Sequence, residues 1–233
     1  MEVNVNDVVL PGDRVSSSNF SNLHKSSKIL GPGLRLFEGQ VYVSKGGVLK
    51  QNKLIFWVES QKKRYVPASD EFVIGIVTQK SGDYYKVDIG ASELASLSYL
   101  SFEGATKKLR PDIKVGDALY TKVLTAKRDM EPELVCVDSH WKKGRLGFLN
   151  TNGFIFTCSL TLTQKLLSKN RPLEKMAENR KFEIAVGLNG RIWINADTEV
   201  VKPLINTILE LELLSEEEIN KNCSNIFSKN CKI

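Results

Sequence analysis

Asp129, Glu131 and Glu133, spaced two apart in Asp129-Met130-Glu131-Pro132-Glu133, are the one cluster in this 233-residue chain whose types and spacing could hold a metal. In an extended segment they fall on one side, as a Mg²⁺-dependent nuclease would need. No adjacent histidine or poised base accompanies them. A solvated loop between two strands is the favoured reading, and a hydrolytic ribonuclease the distant one. Two histidines, His24 and His140, give Ser-His-Asp or Cys-His chemistry nothing to build on. Cys136, Cys158, Cys223 and Cys231 lack the close pairing of a zinc site and read as reduced, buried or incidental thiols. Neither a phosphate-cradling loop nor a dinucleotide fingerprint occurs. The pattern argues against an active site, and neither cofactor nor metal is expected.

Binding chemistry is better represented. Tyr84 and Lys86 share one face of an alternating segment, Asp83 to Gly90, whose other face carries Tyr85, Val87 and Ile89. The apolar set must face a core, so Tyr84 and Lys86 point outward. They offer a ring for base stacking and a cation for phosphate, or simply a solvated strand face. Lys107-Lys108-Leu109-Arg110 sets three charges in a long loop, where nucleic-acid contact is favoured over solubility alone. Lys142-Lys143-Gly144-Arg145 is a second basic patch. Gly187-Leu188-Asn189-Gly190 fits the G-x-x-G pattern that clamps RNA backbone between two helices. Here it joins two strands, so a tight hairpin turn with φ > 0 at Gly190 is the favoured reading over a phosphate clamp.

The elements that must position these residues are mainly β, with a C-terminal α/β part. Residues 1–66 read as a β domain with turns at Pro11-Gly12 and Gly31-Pro32-Gly33. Within it Gln40–Val43 and Val48–Lys50 form an expected hairpin across Gly46-Gly47, followed by strands at 54–58 and 64–66. Residues 67–140 supply five strands, Phe72–Thr78, Asp83–Gly90, Ala95–Leu100, Ala118–Ala126 and Glu133–Val137, with the long loop after the third. That is the strand count of an OB-fold barrel. Residues 141–233 turn to mixed α/β, with strands at 154–157, 182–186 and 191–194. Thr161 with Gln164 predicts a capped helix, a second helix runs from about Thr198, and Ser215 with Glu218 caps a third bearing Ile219, Cys223, Ile226 and Phe227.

The net charge of +6 is unevenly placed: residues 1–66 carry ten Lys/Arg against five Asp/Glu, 67–145 twelve of each, and 146–233 eleven against ten. Local basic patches on a near-neutral middle suit a phosphate backbone held loosely. No run approaches the roughly 20 apolar residues of a membrane helix, so no membrane partner is expected. Met1–Asn4 shows no signal peptide, and Cys231 is one place too late for prenylation.

The succession Val9–Asp13, Gln61–Pro67, Ile74–Val77, Ser81–Asp83, Ala95–Lys107, Asp129–Glu133 and Gly187–Ile194 resembles the exosome cap subunits of the ribosomal RNA-processing protein 40 family, across nearly the whole chain. The resemblance implies an N-terminal β domain, an OB barrel of the ribosomal S-one type and a KH-type domain. It further implies a non-catalytic subunit in a cap ring on RNase PH-like subunits. That subunit would thread single-stranded RNA to an associated processive nuclease, in rRNA processing and RNA degradation, in nucleus, nucleolus and cytoplasm. In that family the Gly187, Asn189 and Gly190 positions are buried between domains. No His lies between His24 and His140, so the aromatic-plus-His surface of strongly binding barrels is missing. A free-standing RNA-binding protein of translation or ribosome assembly is the alternative.

Overall fold

A computed structural model describes residues 2–16, 29–60, 63–127, 129–167, 172–177 and 181–214, together with Glu218. His24, Cys223, Cys231 and the helix expected after Ser215 lie outside these residues. The chain forms two compact units, residues 1–62 and 63–233. No helix among the described residues is long and apolar enough to cross a membrane.

The first unit holds β1 (Glu2–Val3), β2 (Val8–Val9), β3 (Arg14–Val15), β4 (Ile29–Leu30), β5 (Leu34–Phe37), β6 (Gln40–Val43), β7 (Gly47–Asn52) and β8 (Ile55–Glu59). They make two four-stranded sheets, ordered β1-β3-β6-β5 and β2-β7-β8-β4. Val41, Val43, Leu49, Phe56 and Val58 alternate inward to fill the core. The hairpin expected across Gly46-Gly47 does not form. β6 pairs with β5 and β3, and β7 pairs with β8 and β2, so the two glycines carry the chain from one sheet to the other. A Cβ on Gly47 would stand 2.2 Å from the Glu59 carbonyl oxygen, so only glycine lets β7 lie beside β8 there. The tight turn is instead at Glu38-Gly39, where φ is +49° and +73°, the double positive φ of a type I′ hairpin.

The second unit opens with Tyr65, which is not in a strand as expected. Its ring is buried in the barrel core and its hydroxyl donates to Glu71 Oε2 at 2.5 Å. The barrel strands are β9 (Phe72–Ser81), β10 (Tyr84–Asp88), β11 (Ala95–Ser98), β12 (Ala118–Thr125) and β13 (Glu133–Val135), with β14 (Gly147–Phe148) added beside β12. β13 pairs with both β11 and β12, which closes the sheet on itself. Val73, Val77, Tyr85, Val87, Ile89, Leu97, Leu119, Val123 and Leu134 fill the interior. A Cβ at Gly75 would meet the Val87 side chain at 2.2 Å, so glycine is what brings β9 and β10 together under their twist.

Beyond the barrel lie β15 (Phe154–Thr157), α1 (Leu160–Leu166), α2 (Pro172–Ala177), β16 (Glu183–Val186), β17 (Arg191–Asn195) and α3 (Thr198–Glu210). The three strands form an antiparallel sheet, β15-β17-β16. Leu162, Leu166, Met176, Ile192, Ile194, Leu204 and Ile208 pack between helices and sheet. Ser159 caps α1 by accepting the Leu162 N–H at 3.1 Å, which displaces the cap expected at Thr161 by two residues. Pro203 sits inside α3.

Candidate nucleic-acid interface

The Gly187–Gly190 segment is the turn between β16 and β17, with the Gly187 N–H donating to the Arg191 carbonyl at 2.9 Å. Gly190 has φ +80°, the left-handed region that glycine occupies without Cβ strain. Asn189 is buried, and its carboxamide faces the barrel. Oδ1 accepts the Ile74 N–H at 3.2 Å, and Nδ2 donates to the Ile74 and Ile89 carbonyls at 2.8 Å each. The Leu188 N–H adds a bond to the Phe72 carbonyl at 2.9 Å. The turn thus occupies the rim of β9 where β10 has already ended. The barrel crowds Gly187, where a Cβ would lie 2.7 Å from the Ile74 nitrogen; at Gly190 the crowding comes from the Cys158 carbonyl instead, at 2.7 Å. A segment with its amide and backbone committed in this way has no face left for a phosphate.

A pair that sequence reasoning missed completes this junction. The Arg191 guanidinium donates to the Asp88 carbonyl at 2.5 Å and to Asp88 Oδ2 at 2.6 Å. Burial pushes the Asp88 carboxyl up, but the Gly90 N–H and Arg191 outweigh it and hold the carboxyl below its ordinary range. In the sequence Asp88 continues the outward face of Tyr84 and Lys86, and nothing there marks a partner 103 residues away. Trp193, Ile74 and Leu149 pack alongside, with the Trp193 indole N–H donating to the Asn150 carbonyl at 3.2 Å.

On the barrel wall Tyr84 and Lys86 point outward, opposite Ser98 and Ser96 of β11. Tyr84 is 54% exposed. Lys86 is ion-paired with Glu131, so its charge already has a partner. That pair also removes the middle carboxylate from any shared site. Among the described residues no group of three or more His, Cys, Asp or Glu converges to hold a metal. Burial pushes both the Cys136 and Cys158 thiols up to about 12, which keeps them protonated and unreactive.

The basic loop divides in two. The Thr106 N–H donates to the Leu109 carbonyl at 3.0 Å, and the Leu109 N–H donates back to Thr106 Oγ1 at 3.1 Å. Lys107 and Lys108 are therefore the tip of a pinned turn, exposed and without an ion pair among the described residues. Arg110 is held: its guanidinium meets Asp83 at 3.1 Å and lies over the Tyr99 ring at 4.6 Å. It clamps the loop beside the β9–β10 turn, next to Tyr84. Lys107, Lys108 and Tyr84 thus offer open cations and a ring, while Arg110 and Lys86 are engaged within the fold.

Three family models match: "Mammalian exosome complex component RRP40, N-terminal" over residues 7–61, "Exosome complex component RRP40, S1 domain" over 65–147, and "KH domain" over 153–200. The Drosophila melanogaster protein described as exosome complex component RRP40 is 47% identical, over 94% of this chain and 95% of its own. The Homo sapiens protein of that description is 42% identical over 86% and 77%, and the Schizosaccharomyces pombe one 40% over 94% of each. A crystal structure described as "putative exosome complex RNA-binding protein" superposes with a TM-score of 0.59 at 21% identity, covering 73% of this chain and 98% of that one, a likeness of fold.

Proposed function

The chain belongs to the RRP40 family of exosome complex components, and from that premise we propose that it is a non-catalytic, RNA-binding cap subunit of the RNA exosome. In this reading it stabilises a ring of RNase PH-like subunits together with other cap subunits. It guides single-stranded RNA to an associated processive nuclease in rRNA processing and RNA degradation, in nucleus, nucleolus and cytoplasm. The observation that carries the reading is the commitment of the Gly187–Gly190 turn to the barrel rim. A KH loop used as a strut leaves RNA contact to the barrel's open loop tip, which suits a guide and not an independent clamp.

Purified chain mixed with a 5′-labelled single-stranded RNA and Mg²⁺ or Mn²⁺ is expected to leave the RNA intact. Tagged chain recovered from its own cells is expected to bring ring subunits in equal proportion. Metal-dependent cleavage that disappears on replacing Glu131 and Glu133 by Gln would overturn the non-catalytic part. A monomer that binds RNA at nanomolar concentration and physiological salt, with no companions, would favour the free-standing alternative.

A further inference from the structure

The turn from Ser139 to Arg145 lies outside every site described above. Asp138 fastens its start: Oδ1 accepts the Ser139 N–H at 2.7 Å, the carbonyl accepts the Trp141 N–H at 2.9 Å, and the Asp138 N–H donates to the Lys142 carbonyl at 2.8 Å. The Lys143 N–H donates to Glu103 Oε2 at 2.8 Å, which ties this turn to the loop that carries Lys107 and Lys108. The Leu146 N–H closes the far end on the Lys143 carbonyl, also at 2.8 Å.

At the tip stands Trp141, 72% exposed and with φ +59°. A bulky residue in the left-handed region is strained, and such strain persists only where the surroundings over-determine it. The fold gains no burial in return, and the indole stacks on no ring among the described residues. Lys142, Lys143 and Arg145 beside it are exposed and form no ion pair with a described residue. The acidic neighbours, Asp138 and Glu103, accept from main-chain N–H groups. An open aromatic face among uncompensated cations, on a turn held at both ends, is the combination by which proteins hold single-stranded nucleic acid: the ring takes a base and the cations take phosphates. An acidic protein segment would answer to the cations but would leave the indole without a role.

We propose that Trp141 is a stacking platform for a base of single-stranded RNA, with Lys142 and Arg145 on the flanking phosphates. From there the strand runs along the Glu103–Lys143 tie to Lys107 and Lys108. This rests on the RNA-handling reading above and names a part of the path that it leaves open.

The test uses full-length chain and a 12-nucleotide oligouridylate, read by fluorescence anisotropy and by quenching of tryptophan emission. Trp141→Gly is the informative variant, because glycine takes φ +59° without strain and the fold loses no buried contact. It is expected to keep the melting temperature, weaken RNA binding about tenfold and abolish most of the quench, whereas Trp141→Phe keeps most of the affinity. Lys142→Ala with Arg145→Ala should flatten the slope of log K against log salt by about 1.4. Wild-type affinity and quenching in Trp141→Gly would overturn the platform and leave the RNA-handling reading standing. A wild-type chain that binds no RNA, alone or in its assembled complex, would remove both. A variant that binds RNA normally but no longer co-purifies with its companions would make the turn a protein contact and overturn the proposal.

Discussion

At Asn189 one carboxamide serves three main-chain groups of the barrel, accepting from the Ile74 N–H and donating to the Ile74 and Ile89 carbonyls. Asn189→Ala strands those groups in a buried place, at a cost of about 1–3 kcal/mol. In a unit of this size, residues 63–233, that corresponds to a fall of roughly 2–12 °C in melting temperature. Asn189→Asp keeps the shape but cannot donate, so it is expected to destabilise at least as much. Thermal melts of both variants check this, and melts unchanged from wild type would contradict the strut. The turn was legible in the sequence because an Asn-Gly pair between two apolar runs has few other uses. Its three partners were not, because Ile74 and Ile89 lie about a hundred residues away and offer only backbone. Trp141 was illegible for a related reason: no residue type announces a positive φ at a tryptophan.

At the scale of elements, alternation told the truth wherever a strand has one buried face. Tyr85, Val87 and Ile89 point inward and Tyr84 and Lys86 outward, as the period-two pattern requires. Pairing was harder to read. Gln40–Val43 and Val48–Lys50 are strands, yet they belong to different sheets, because the same core accepts Val43 from one side and Leu49 from the other. The loop between β11 and β12 was visible as three charges in four residues, but their division of labour is visible only in three dimensions. Lys107→Ala with Lys108→Ala is therefore expected to weaken RNA binding and flatten its salt slope by about 1.4 with melting unchanged. Arg110→Ala should instead shift the NMR signals of the Tyr99 ring and loosen the loop. Equal effects of the two variants on both readouts would contradict the division.

For the molecule beyond its first 62 residues, the barrel and the α/β part act as one compact unit, and the Asp88–Arg191 pair couples their stability to pH. The folded-state carboxyl of Asp88 sits below its ordinary value of 3.8. Its contribution is therefore complete above about pH 4 and is lost as pH falls through the lower, folded-state value. Because Asp88 is partly exposed, the effect is screened and modest. Asp88→Asn is expected to lower stability at neutral pH and to flatten the acid limb of an unfolding profile. An acid limb as steep as that of the wild type would show that other carboxylates govern it.

The docking of Asn189 on Ile74 also sets a timetable for synthesis. The two residues are 115 positions apart in the chain, and at 5–20 residues per second the ribosome needs about 6 to 23 s to cover that distance. Once β14 ends at Phe148, and until Asn189 is made, the nascent barrel shows an open rim at β9, with Phe72, Ile74 and Ile89 offering main-chain groups to any passing strand. A message truncated after the barrel would leave that rim open for good. The product would be a substrate for chaperones and proteases and not a smaller working subunit.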